Sequence, residues 1–146
     1  MWIDNRYNTK DLPAHKNFAP YMSRLDTGCV IEIGSDRGEG STAFLARLSE
    51  NYGKSFFSVD FDKDIATNAT VLLETYKNAQ AFHMTGEEFL KRVFPSFNQK
   101  ICAAYLDNFD WKYHRGDERR HARQSREYQE KHGIEMNNLN SQLAHL

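Results

Sequence analysis

Residues 28–46 read GCVIEIGSDRGEGSTAFLA, and their order decides the fold. Cys29, Val30, Ile31 and Ile33 make a short apolar strand. Gly34, Gly38 and Gly40 make a turn, and Ser41, Thr42, Ala43, Phe44 and Leu45 open a helix. A strand feeding a glycine turn feeding a helix lets backbone approach a ligand and aims helix N–H groups into the gap. Glu32 is out of keeping, a carboxylate on an otherwise apolar strand.

Downstream the pattern repeats. Ser55–Asp60 (SFFSVD) reads as a second strand. Asp62 or Asp64 can cap a helix whose inward face is Ile65, Ala69, Leu72, Leu73 and Tyr76. Ala79–Met84 (AQAFHM) reads as a third strand. Thr85–Glu88 (TGEE) matches a capping box, and Phe89, Leu90, Val93 and Phe94 follow until Pro95 stops the helix. Ile101–Leu106 (ICAAYL) is a nearly all-apolar fourth strand, as a strand covered on both faces should be. Four such alternations with short connections predict an α/β fold, a central parallel sheet with helices on both faces. Upstream, residues 1–17 read as a polar arm, and Phe18, Tyr21, Met22 and Leu25 recur at helical spacing.

The texture changes after Asp107. Residues 108–133 are crowded with charge and aromatics, and an amphipathic helix begins near Ile134. Lys112, Arg115, Arg119, Arg120, Arg123 and Arg126 allow two readings. One is a lid over an anionic substrate; the other, which balanced overall charge favours, is a solvated helix surface with pairs to Glu118 and Glu127.

Composition bounds the function classes. The 146 residues fit one domain, and 40% apolar and 13% aromatic content argue against disorder. Mean hydropathy of −0.74 implies a very polar surface. A net charge of −1 gives no general attraction for nucleic acid or membrane. No apolar run approaches the ~20 residues of a membrane span, and the N-terminus lacks a signal-peptide core. The expected location is the cytoplasm. Cys29 and Cys102 lie in strand-like runs and read as buried thiols ahead of a disulfide.

The glycine spacing, Gly34-x3-Gly38-x-Gly40, is neither the G-x-G-x-x-G of a dinucleotide fold nor a P-loop. A pyrophosphate cradle is disfavoured. Asp60 ends the second strand, where a parallel α/β fold sets its tip beside the first. A carboxylate there can accept the hydroxyls of a ribose, or it can merely cap the next helix.

With these elements the chain resembles a class I S-adenosylmethionine-dependent methyltransferase of the small-molecule type. The first motif of that family is close to E-x-G-x-x-x-G-x-S-T. It is matched by Glu32, Gly34, Gly38, Ser41 and Thr42, with one extra residue between Gly38 and Ser41. Asp60 matches the acidic residue after the second strand, Thr85-Gly86-Glu87 the third motif and Asp107 the fourth-motif aspartate, so the match spans about residues 25–112. The resemblance implies S-adenosylmethionine as cofactor and methyl transfer to a small-molecule acceptor. It implies cofactor contacts from Glu32, Gly34, Ser35, Asp36, Gly38, Ser41, Asp60, Phe61, Gly86, Glu87 and Asp107, with Asp107 also the catalytic candidate. Glu32, costly to bury alone, would find its partner in the cofactor's cationic amino or sulfonium group.

The departures matter. Asp36 stands where many relatives have glycine, and Asp107-Asn108-Phe109-Asp110-Trp111 lacks the histidine frequent in the fourth motif. Asp107, Asp110 and His114 raise a metal site, but no metal is the favoured reading, and His83 reads as a core histidine. The family's sheet has further strands, so residues 1–146 read as a partial domain whose fourth strand is an open edge prone to self-association. The rival reading is a non-catalytic cofactor-binding or assembly module.

Overall fold

The computed structural model describes Met22 and residues 28–35, 41–106 and 116–133. The chain forms two compact units, residues 1–107 and 108–146. The boundary falls where apolar patterning gives way to charge.

The first unit contains β1 (Cys29–Ile33), α1 (Ser41–Asn51), β2 (Ser55–Asp60), α2 (Lys63–Leu73) and β3 (Ala79–His83). There follow α3 (Gly86–Glu88), a π-helical turn (Phe89–Val93), a 3-10 turn (Phe94–Phe97) and β4 (Ile101–Leu106). The strands form one sheet of order β3-β2-β1-β4 with every pairing parallel. Every residue of β1 is buried and all of β2 but half-buried Ser55, as befits central strands covered on both faces. β4 is a terminal strand of the sheet among the described residues, and Ile101 on it is exposed.

Alternation along the strands divides the core in two. On one face Val30 and Phe56 pack with Phe44, Leu45 and Leu48 of α1, Leu73 of α2, and Met22. On the other, Cys29, Ile31, Ile33, Phe57 and Val59 pack with Phe89. There Phe57 lies 4.7 Å from Phe97 and Phe82 lies 4.9 Å from Phe89, ring centre to ring centre. Each ring taken out of water contributes roughly 1.5–3 kcal/mol. The connections therefore alternate as the sheet order requires: α1 and α2 cover one face while the chain walks from β1 to β3. The helical turns from Phe89 to Phe97 cover the other face during the return to β4.

Local chemistry sets the boundaries. The Asp62 carboxylate caps α2 by accepting from the Asp64 and Ile65 N–H groups at 2.9 and 3.3 Å. The buried residues of α2 are Ala66, Ala69 and Leu73, while Ile65, Leu72 and Tyr76 are half-buried, so the inward stripe includes an alanine that periodicity passed over. After α1, Gly53 takes a φ of 64°. Its N–H and that of Lys54 return to the Glu50 and Ser49 carbonyls, closing a Schellman turn. Pro95 does not end the helical stretch as expected. It occupies the first turn of the 3-10 segment, where a missing N–H costs little, and the chain stops at left-handed Asn98 instead.

Gly28 is required by close approach. A Cβ there would lie 2.6 Å from the Lys100 carbonyl oxygen and 3.2 Å from the Cys102 Cβ. The β1–β4 register slips beside it, pairing Cys29 with Ile101 but Val30 with Ala103. Cys29 and Cys102 are free thiols. They pack in opposite core clusters, and the Cys102 thiol donates to the Cys29 carbonyl at 3.1 Å. Burial pushes the Cys29 thiol up to about 11.

In the second unit, α4 (Arg120–His132) ends at Gly133 with a φ of 64°. Before it, the Arg119 guanidinium grips the Asp117 carboxylate at 2.6 Å, and Arg126 donates to the Asp117 carbonyl at 2.8 Å. Hydrogen bonds from Arg119 hold the Asp117 carboxyl down to about 2.

Candidate functional site

The site forms where β1 and β2 end side by side. Past Ile33, the Gly34 N–H donates to the Val59 carbonyl at 2.8 Å, adding one rung beyond the strand. Gly34 then turns with a φ of 86°, a region open to glycine and strained for a side chain. That turn aims Ser35 across at β2. Its backbone N–H donates to Asp60 Oδ2 at 2.8 Å and its hydroxyl to the same oxygen at 3.2 Å. Asp60 Oδ1 accepts from the Asp62 N–H at 2.8 Å. Since Asp62 caps α2, the two readings left open for Asp60 separate: it is not that helix's cap.

Asp60 is 8% exposed. Burial pushes its carboxyl above the usual carboxylate range. The Ser35 and Asp62 N–H groups and the Ser35 hydroxyl pull it back, while the neighbouring Asp62 charge adds to the rise. The outcome is a carboxylate with neutral donors at the open end of a parallel sheet.

Glu32 lies behind this point, fully buried. Ser41 donates to its Oε1 at 2.6 Å, while Thr42 and Ser58 donate to Oε2 at 2.7 and 2.8 Å. A cationic ligand is therefore not needed to account for its burial; three hydroxyls of the chain partner it. Thr42 Oγ1 also lies 3.3 Å from the Ser35 carbonyl, linking the cage to the turn that holds Asp60. Sequence reasoning missed Ser58. The signal was present: Glu32 and Ser58 are the polar exceptions inside two apolar strands, and they are register partners.

At the end of β3, Met84 N–H donates to the Asp60 carbonyl at 3.0 Å, drawing the next turn beside β2. There the Thr85 hydroxyl caps α3 by accepting from the Glu88 N–H at 3.2 Å. Gly86 is buried and Glu87 half-buried. Phe61 is 40% exposed, and its carbonyl lies 3.1 Å from His83 Nε2. His83 is exposed on a peripheral strand, which corrects the expectation of a core histidine.

The structure thus gathers Gly34, Ser35, Asp60 and Phe61, and turns Ser41 back to Glu32. Asp36, Gly38, Asp107, Asp110 and His114 lie outside the described residues. Among the described residues no group of three or more His, Cys, Asp or Glu is placed to hold a metal ion. Also among them, no helix is long and apolar enough to cross a membrane. No protein-family model, curated protein or solved structure matches the chain.

Proposed function

We propose that the chain binds S-adenosylmethionine at the ends of β1 and β2 and belongs to a methyltransferase acting on a small-molecule acceptor. The observation that carries this reading is the Asp60 carboxylate, held 2.8 Å from the Ser35 N–H just past the Gly34 turn. The sheet order supports it, because open parallel sheets bind ligands outside the strand ends where the order reverses, here between β1 and β4.

The residues fit the cofactor. Asp60 Oδ1 accepts one hydrogen bond and has capacity for a ligand hydroxyl. Backbone at Gly34 and Ser35 would run beside the methionine part, Phe61 would offer its exposed ring to the adenine, and Gly86 and Glu87 would border the base. Asp36, Gly38 and Asp107 enter the proposal on the sequence resemblance alone. Glu32 would serve indirectly, by fixing α1 and the turn. The cofactor, when bound, supplies a methyl group activated on a sulfonium. The chain's contribution is to orient it and to exclude water, so that alignment provides much of the rate.

Calorimetry with S-adenosylmethionine and its demethylated product tests the reading. Binding that is lost in Asp60→Ala is the expected result, and no binding by the wild type overturns it. Binding without methyl transfer over a broad acceptor screen would assign a cofactor-binding module instead.

A further inference from the structure

The hydrogen bonds at Asp60 carry one step more, which rests on the reading just proposed. A carboxylate offers about two acceptor positions on each oxygen. On Oδ2 both are taken, by the Ser35 N–H at 2.8 Å and the Ser35 hydroxyl at 3.2 Å. On Oδ1 one is taken, by the Asp62 N–H at 2.8 Å. A ribose presents two adjacent hydroxyls, and a carboxylate with one position free on each oxygen would take both. Counting the donors of the described residues, this one has a single free position.

We infer that Ser35 is a specificity-determining residue: its hydroxyl restricts the Asp60 carboxylate to one ribose hydroxyl. The competing donor is the side chain alone, because the backbone N–H of residue 35 remains whatever side chain stands there. Ser35 is fully buried, and its chain is fixed by the Gly34 turn before it and by its own backbone N–H on Asp60. Removing the hydroxyl therefore opens a position on Oδ2 without releasing the carboxylate.

The test is calorimetric titration of wild type, Ser35→Ala, Ser35→Cys and Asp60→Asn with adenosine, 2′-deoxyadenosine and 3′-deoxyadenosine. In wild type one of the two deoxy compounds should bind within about twofold of adenosine and the other should lose about three- to tenfold, one hydrogen bond's worth. In Ser35→Ala adenosine should tighten by a similar factor and both deoxy compounds should fall below it. Ser35→Cys, a weaker donor of similar shape, should lie between and serves if the alanine variant does not fold. Equal losses for both deoxy compounds in wild type, or an unchanged pattern in the folded Ser35 variants, overturn the inference and leave the cofactor reading standing. No nucleoside binding by a wild type that still binds S-adenosylmethionine overturns the inference alone, and unaltered binding by Asp60→Asn overturns both.

Discussion

Glu32 and Ser58 are register partners on the two central strands, and the Ser58 hydroxyl donates to the Glu32 carboxylate at 2.8 Å within the core. With Ser41 and Thr42 from the first turn of α1, this joins β1, β2 and α1 through one carboxylate. A hydrogen bond to a buried charged group is worth about 1.5–3 kcal/mol.

Ser58→Ala should therefore destabilise the fold by about 1.5–3 kcal/mol in urea denaturation. Glu32→Leu leaves the Ser41 and Ser58 hydroxyls without their acceptor, while Thr42 can turn to the Ser35 carbonyl, and should cost about 3 kcal/mol or more. The double variant should cost less than the sum, with a coupling of about 1 kcal/mol or more. Additive costs would show that the two side chains do not interact.

Gly28→Ala and Gly53→Ala separate two reasons for glycine. At Gly53 nothing lies within 4 Å of the added Cβ, so the cost is that of a left-handed residue, about 1–2 kcal/mol. At Gly28 the Cβ meets a backbone carbonyl at 2.6 Å, so β1 and β4 must separate. Overpacking of this kind costs about 1–3 kcal/mol or more. Thermal melts should show both losses, and native-state hydrogen exchange should show β4 amides losing protection in Gly28→Ala only.

Ser49→Ala should be neutral or stabilising by up to about 1 kcal/mol. The Ser49 hydroxyl is buried and has no hydrogen-bond partner among the described residues, and removing it relieves a desolvation cost. A loss above about 1 kcal/mol on chemical denaturation would show that the hydroxyl has a partner in solution.

Asp60 sets a pH dependence whose sign follows from burial. Its folded pKa lies above the ordinary 3.8, so between the two values the folded protein holds more proton than the unfolded chain. The contribution of Asp60 to stability thus declines as pH rises from about 3.8 through the folded value, and is constant above it. The wild-type stability minus that of Asp60→Asn, measured by denaturation from pH 3 to pH 8, should fall over that window. A difference that rises with pH would reverse the assignment.

Much of the architecture was legible because it is local. The apolar runs Cys29–Ile33, Ser55–Asp60 and Ile101–Leu106 carry their own strand signal, and the third strand stops one residue before the expected Met84. Asp62 and Thr85 cap helices because an Asx or Thr oxygen reaches N–H groups two or three residues ahead, which requires no knowledge of the rest of the chain. The Phe89–Phe97 turns were less legible, since the π and 3-10 segments answer to five phenylalanines packing on one face as much as to Pro95.

By itself the sequence determined a parallel α/β sheet, a glycine turn after β1 and a carboxylate at the tip of β2, because periodicity and turn chemistry act over a few residues. Only the tertiary structure decided what the carboxylates do. Glu32 meets Ser58 across 26 residues and Asp60 meets Ser35 across 25, through strand register and the direction of a single glycine turn. Those are long-range pairings, and a buried charge takes its role from whichever donors they bring to it.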